Sequence, residues 1–298
     1  MLKRTFALIS LGILTFQATY AQKAITLQQN FQPGKKYGYA MSYDQNIGQN
    51  IMGQDITMKQ LMKIDYSFDI TTASAPDKNV KVTYNKIYSL SDAMGATSEY
   101  DSEKDNGTEN NPLSALKGAS FNMVITPKGD VKSVSGVDKM LDAMAQKSSK
   151  DSATTATIKD ALNKQFGSEA VKASMEAALK IYPEKPIKQG ESWVVETELK
   201  NILPLKMKTT YTLKEVKENK AFVGVVGTIS AVGPVEVMGF TMQTNLSGTN
   251  NGDMIIDIKS GLALNSDMKI NIGGTMSAMG QDIKMKIDGQ NKIAGKEL

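Results

Sequence analysis

From Asp55 to Ile70 the chain alternates with one exception on each face, Gln60 and Leu61. Even positions read Ile56, Met58, Gln60, Met62, Ile64, Tyr66, Phe68 and Ile70, and odd positions read Asp55, Thr57, Lys59, Leu61, Lys63, Asp65, Ser67 and Asp69. Successive side chains of an extended strand point to opposite faces, so this long period of two predicts a strand with one apolar and one wetted face. The pattern returns in Tyr37, Tyr39, Met41, Tyr43; in Val80, Val82, Tyr84, Tyr88; and in Leu205, Met207, Tyr211, Leu213. It recurs in Met254, Ile256, Ile258; in Leu262, Leu264, Met268, Ile270, Ile272; and in Ile283, Met285, Ile287. Parallel sheets read as unbroken apolar runs, whereas alternating strands belong to antiparallel sheets open to water on one side. A meander of long, curved strands is expected.

The middle of the chain has another period. Val137, Met140, Leu141 and Met144 recur at helical spacing, as do Ile158, Leu162 and Phe166, then Val171, Met175, Ala178 and Leu179. Thr154 or Thr155 and Ser168 are candidate N-caps, with Gly167 and Pro183 as stops. The apolar faces of these two or three short helices need a partner, and the inner face of a sheet is the obvious one. The expected fold class is mainly β (α+β), with two tandem curved antiparallel meander sheets, half-barrel-like, joined by a helical segment. The expected division is a signal peptide at 1–21, a first β unit at 22–135, a helical segment and linker at 136–189, and a second β unit at 190–298.

The two sheet units echo one another. GKKYGYAMSY from Gly34 resembles GESWVVETE from Gly190, and MKIDYS from Met62 matches MKTTYT from Met207. Met94-Gly95 matches Met238-Gly239, and MVITPKG from Met123 matches MIIDIKSG from Met254. The offsets of 156, 145, 144 and 131 fall in order, as two copies would if the second had shorter loops. The octapeptides MGQDITMK at Met52 and MGQDIKMK at Met279 do not correspond under these offsets. Alternating strand flanks both, so Gly53 and Gly280 are expected at or beside hairpin tips, where a positive φ favours glycine.

MLKRTFALISLGILTFQATYA places Lys3 and Arg4 before an apolar run and then small residues, the layout of a secretory signal peptide cleaved after Ala21. Export to the periplasm or exterior is expected, with no integral membrane segment, since no later run approaches ~20 apolar residues. Removing Lys3 and Arg4 from 35 basic residues leaves 33 against 31 acidic ones, which argues against a nucleic-acid partner.

The chain has neither His nor Cys. That removes Ser-His-Asp and Cys-His activation, imidazole or thiolate zinc sites, and disulfides. Carboxylates, Lys, Tyr and oxygen-ligated metals remain. Asp101, Glu103, Asp105 and Glu109 have the rhythm of a calcium loop, but glycine comes seventh and Pro112 takes the twelfth position, so a solvated acidic loop is expected and no metal site. Ser114 and Lys117 form an SxxK pair and Lys259-Ser260-Gly261 imitates a KSG strand, without the helical domain such serine enzymes need. Asp151-Ser152-Ala153 resembles a short O-glycosylation acceptor, with a helix-linking turn as the plainer reading. Trp193, the only tryptophan, stands where Tyr37 stands in the first unit and is expected as a core plug.

Methionine is abundant, 18 residues, and much of it falls on the apolar strand faces. Unbranched and polarizable, it suits a surface that adapts to irregular apolar partners. Met58, Met62, Tyr66, Met207, Tyr211, Met268 and Met285 are therefore the candidate ligand-binding residues, with no cofactor. The reading that follows is an exported non-catalytic protein that binds or carries an apolar or amphipathic ligand, a lipid for example, in a Met-rich concave sheet face. The alternative is a structural or protein-interaction module of the cell envelope, its partner another envelope protein. A carboxylate hydrolase ranks third.

Two stretches, LKGASFNMVITPKGDVKSVSG from Leu116 and YPEKPIKQGESW from Tyr182, resemble a family of uncharacterised secreted proteins common in Bacteroidota. The resemblance implies location and architecture, and no activity.

Overall fold

The computed structural model describes residues 23–51, 53–74, 76–105, 111–200, 204–237, 240–278 and 281–298. The expected signal peptide, Glu109 and Gly280 lie outside these residues.

The alternating segments are strands. In chain order they are β1 (Lys36–Ile51), β2 (Gln54–Ser74), β3 (Asp77–Ala93), β4 (Ala96–Asp101), β5 (Ser120–Ile125) and β6 (Val131–Ser135). After the helices α1 (Val137–Ser148), α2 (Ser152–Phe166) and α3 (Ser168–Leu179) come β7 (Ser192–Lys200), β8 (Pro204–Lys217), β9 (Lys220–Val237), β10 (Phe240–Asp257), β11 (Ala263–Ala278) and β12 (Gln281–Glu297). They form one antiparallel sheet in the order β6-β5-β3-β2-β1-β12-β11-β10-β9-β8-β7, with β4 also on β3. Two sheets were expected. Instead β1 and β12 pair from Tyr37 opposite Glu297 to Asn50 opposite Lys284, so each covers the other's open edge and the units merge.

β6 and β7 are the two ends of this order, and α3 packs against both. Lys180, just past α3, holds the β5–β6 turn through Asp130 at 2.9 Å. The helices thus bring the sheet's ends together and do not lie along its whole inner face. Val137, Met140, Leu141 and Met144 of α1 and Val171, Met175 and Leu179 of α3 enter the main core, while Phe166 of α2 is 40% exposed. The observed N-caps are Asp151, whose carboxylate accepts from the Thr154 N–H, and Gly167. Both lie upstream of the expected threonines and Ser168, and Asp151-Ser152-Ala153 is the capped start of α2.

Curvature has a local cause. A Cβ on Gly252 would lie 1.9 Å from the Asp267 carbonyl oxygen, and one on Gly248 2.2 Å from that of Asn271. Only residues without side chains let β10 and β11 bend this tightly on the concave side.

The core has two parts. The larger, built around Tyr37, Phe68, Val82, Phe121, Leu213 and Ile256, contains the helices. A strap preceding β1 crosses this end: Leu27 and Phe31 are fully buried, Gln29 N–H donates to the Pro127 carbonyl, and Asn30 N–H to that of Ser260. The smaller core, Ile229, Ala231, Val235, Leu246, Ile272 and Met276, lies toward the other end of the strands, where Ala93 pairs with Ala96 and Ala278 with Gln281.

The glycines of two Met-Gly doublets lie in hairpin turns. Gly53, with φ 82, sits in the β1–β2 turn, and Met94 and Gly95, with φ 53 and 81, form the β3–β4 turn. One strand face differs from expectation. Tyr66 pairs with Tyr84 but Asp65 with Lys86, so a bulge at Asn85 turns Tyr88 to the convex face, beneath the Lys63 ammonium.

Candidate functional site

Residues directly opposite one another across a sheet share a face, so the pairing registers lay out the concave surface as successive rungs. One rung runs Met58, Ile47, Ile287, Ile272, Gly248, Ile229, Met207 and Thr197, from β2 to β7. A second, four residues along, runs Met62, Tyr43, Asn291, Met268, Gly252, Val225, Tyr211 and Trp193. Met58 and Met207 thus share the first rung, and Met62, Met268 and Tyr211 the second. Tyr66 is further toward the strap, paired with Tyr39 and Tyr84. Met285 lies one rung beyond Met58, opposite Gln49 and Gly274.

All seven expected residues therefore face the same way. Tyr66, Tyr211 and Met268 belong to the main core, whereas Met207 and Met285 pack against the smaller one. Met58 and Met62 are half-buried.

Between the two rungs lies one that the alternation did not single out: Ser91, Gln60, Gln45, Gly289, Ile270, Asn250, Gly227, Thr209 and Val195. It is a polar belt at mid-depth, dividing the two apolar regions. Gln45 and Asn250 stand in stretches with little apolar character, so only the register reveals them. Asn250 Oδ1, and Asn291 Oδ1 one rung away, are shielded from solvent and accept no hydrogen bond from the described residues. Among the described residues the Tyr43 hydroxyl reaches only the Met41 sulfur, at 3.7 Å, and burial raises its pKa. Burial likewise pushes Tyr211 up to about 12, against the bond with Thr209.

No Lys, Arg, Asp or Glu occupies these three rungs. Charge is kept on the convex face, where Lys208 pairs with Glu196 and Lys286 with Asp288. At one side a cleft of 690 Å³ between α3 and β7–β9 is lined by Glu169, Lys172, Glu176, Lys206 and Lys208, together with Met207 and Thr197 from the end of the first rung.

Trp193 is buried, stacks on Tyr211, and donates its indole N–H to the Ile181 carbonyl at 2.9 Å. Lys117 Nζ donates to the Ser102 carbonyl at 2.7 Å and pairs with Glu103, while Ser114 Oγ has no hydrogen-bond partner among the described residues. Ser260 lies in the β10–β11 turn, bonded to Asp257. Asp101 accepts from the Glu103 N–H and Asp105 from the Tyr100 hydroxyl, and among the described residues no cluster of acidic groups is placed to hold a metal ion.

A family of unknown function, DUF6263, matches residues 75–263, nearly two thirds of the chain and both stretches quoted above. The chain belongs to that family. No curated protein matches it by sequence. Among solved structures, one of lipovitellin, described for its lipid–protein interactions, aligns at a TM-score of 0.52 and 9% identity. The alignment covers 90% of this chain and 25% of lipovitellin, so the likeness is one of fold to a quarter of a larger protein. The translocator domain of the autotransporter NalP from Neisseria meningitidis aligns at 7% identity over 90% of each chain, with a TM-score of only 0.22. An outer-membrane channel from Pseudomonas putida F1 aligns at 7% identity over 90% of this chain and 97% of its own, with a TM-score of 0.26. No helix among the described residues is long and apolar enough to cross a membrane.

Proposed function

We propose that this protein is an exported, non-catalytic carrier that holds an amphipathic molecule, a lipid for example, against the concave face of its sheet. The observation that carries this reading is the separation of charge. Ion pairs line the convex surface, while the concave rungs hold Met, Ile, Tyr and a few neutral polar groups. A face of this kind suits an apolar chain, and methionine lets it adapt to irregular shapes. The lipovitellin fold likeness is consistent with such use. Export rests on the layout of residues 1–21, and the absence of a catalytic role on the missing His and Cys.

The reading also takes the two halves as copies of one unit. Gly34 N–H donates to the Ile70 carbonyl and Ile70 N–H to that of Lys35; Gly190, Leu213 and Glu191 repeat both bonds. β3 has two partners, β4 and β5, on the stretch that corresponds to the single β10 against β9. The insertion between β4 and β5 is where the sequence offset drops from 144 to 131.

Protein isolated from its own cell envelope, analysed by native mass spectrometry and solvent extraction, should carry a co-purifying amphiphile at near-stoichiometric amounts. A chain that arrives empty, and takes up no lipid when mixed with an extract of that envelope, would refute the carrier role. One dominant protein partner in crosslinking would instead favour an envelope interaction module.

A further inference from the structure

Resting on the carrier reading, we propose that the bound molecule is uncharged and presents a hydrogen-bond donor, a hydroxyl or an amide N–H, to the polar belt at mid-depth of the concave face.

The first argument is the unmet acceptors. Asn250 on β10 and Asn291 on β12 flank β11, opposite Ile270 and Met268 respectively. Both Oδ1 atoms are out of solvent and lack a donor among the described residues. A buried acceptor left without a donor is costly, and native structures rarely keep one without a reason. Two on adjacent rungs, with the Tyr43 hydroxyl beside Asn291 held by a thioether alone among the described residues, mark where a donor from outside would bond once the side chains that now cover them move aside. Gln45 and Gln60, directly paired in the belt, and Thr209 at its far side extend the same chemistry.

The second argument is the missing charge. A carboxylate or phosphate at this depth would give up its hydration with no Lys or Arg on these rungs to receive it. The apolar rungs on either side, Met58 to Met207 and Met62 to Tyr211, would take the hydrocarbon portion. The ligand class is then a neutral amphiphile with its donor group set between two apolar stretches. Fatty alcohols, monoacylglycerols and amide-linked lipids fit; ionised fatty acids and phospholipids with a buried head do not.

The test compares three straight-chain probes of equal length on delipidated full-length protein: an alkane, the primary alcohol, and the fatty acid at a pH where it is ionised. Binding is read from Trp193 fluorescence, because that residue ends the second rung. The alcohol should bind at least about tenfold more tightly than the acid. Asn250→Leu with Asn291→Leu should weaken the alcohol about tenfold and leave the alkane unchanged. The same variant should unfold at no lower urea concentration than the parent, since it removes two unmet acceptors. Gln60→Leu, at the half-buried end of the belt, supplies an independent variant should the double one fail to fold, with the same selective loss expected. An acid that binds as well as the alcohol, or an alcohol affinity untouched by every variant that folds, would overturn the neutral-donor assignment while leaving a carrier. Failure of all three probes would overturn the carrier reading as well.

Discussion

Trp193 lies over Tyr211 with ring centroids 5.4 Å apart and planes 17° from parallel, where the edge strand β7 meets β8. Its indole N–H also ties that edge to the Ile181 carbonyl. Trp193→Phe keeps the stack but leaves the buried carbonyl without a donor, an expected loss of about 1–3 kcal/mol. Trp193→Ala should cost about 3–5 kcal/mol through the cavity it opens. Urea titration followed by circular dichroism would rank the two, and equal losses would mean that the hydrogen bond carries the whole effect.

Gly34 and Gly261 have nearly the same backbone, φ 77 and 76, in different surroundings. A Cβ on Gly34 meets nothing within 4 Å, whereas one on Gly261 would stand 2.1 Å from the Gln28 carbonyl oxygen. Gly34→Ala should therefore cost only the left-handed penalty, about 1–2 kcal/mol. Gly261→Ala must also push away the strap and should lose at least about 2 kcal/mol more, as overpacking does. Thermal melts of the two variants would show it.

Alkali should unfold the protein through its buried tyrosines. Burial pushes Tyr84 and Tyr211 up to about 12 from an ordinary 10, against the opposing bonds from Tyr66 and Thr209. A raised folded-state pKa favours the protonated form, so the stability it represents is complete below pH 10 and is lost as pH rises from 10 toward 12. Each tyrosine accounts for about 2–3 kcal/mol of that loss. Tyrosinate absorbance should rise together with loss of sheet signal; tyrosines titrating freely at 10 in a folded protein would contradict their burial.

Met94 occupies a left-handed position, φ 53, in the β3–β4 turn and is 79% exposed. The turn between β8 and β9 has the same backbone, φ 50 and 60, but carries Glu218-Asn219. Asparagine tolerates this conformation better than methionine, so Met94→Asn should stabilise the chain by about 0.5 kcal/mol. A fall in the urea midpoint would show that Met94 has contacts an exposed turn does not suggest.

What could be read from the sequence follows from locality. The long strands, the three helices and the concave orientation of Met58, Met62, Met207 and Met285 follow from side-chain periods of two and 3.6, which each segment carries by itself. Tyr88 was misplaced because a one-residue bulge reverses every later position, and nothing in Tyr84-Asn85-Lys86 announces it. The strap residues Leu27 and Phe31 have no periodic neighbours, so their burial is visible only once the turns at Pro127 and Ser260 are in place. The polar belt escaped for a related reason. Gln45, Gln60, Asn250 and Thr209 are far apart in the chain and meet only through pairings that no single segment encodes.

The union of β1 with β12 bears on how the molecule is made. Tyr37 and Glu297, partners in the sheet, are 260 positions apart. Local hairpins can zip at once, but this joint waits for a loop closure of nearly the whole chain, a slow kind of event in folding. Until it closes, each half presents a long, unsatisfied strand border to every other half-finished copy nearby. The vulnerable interval for this protein is thus the time before its last strand arrives to cover β1.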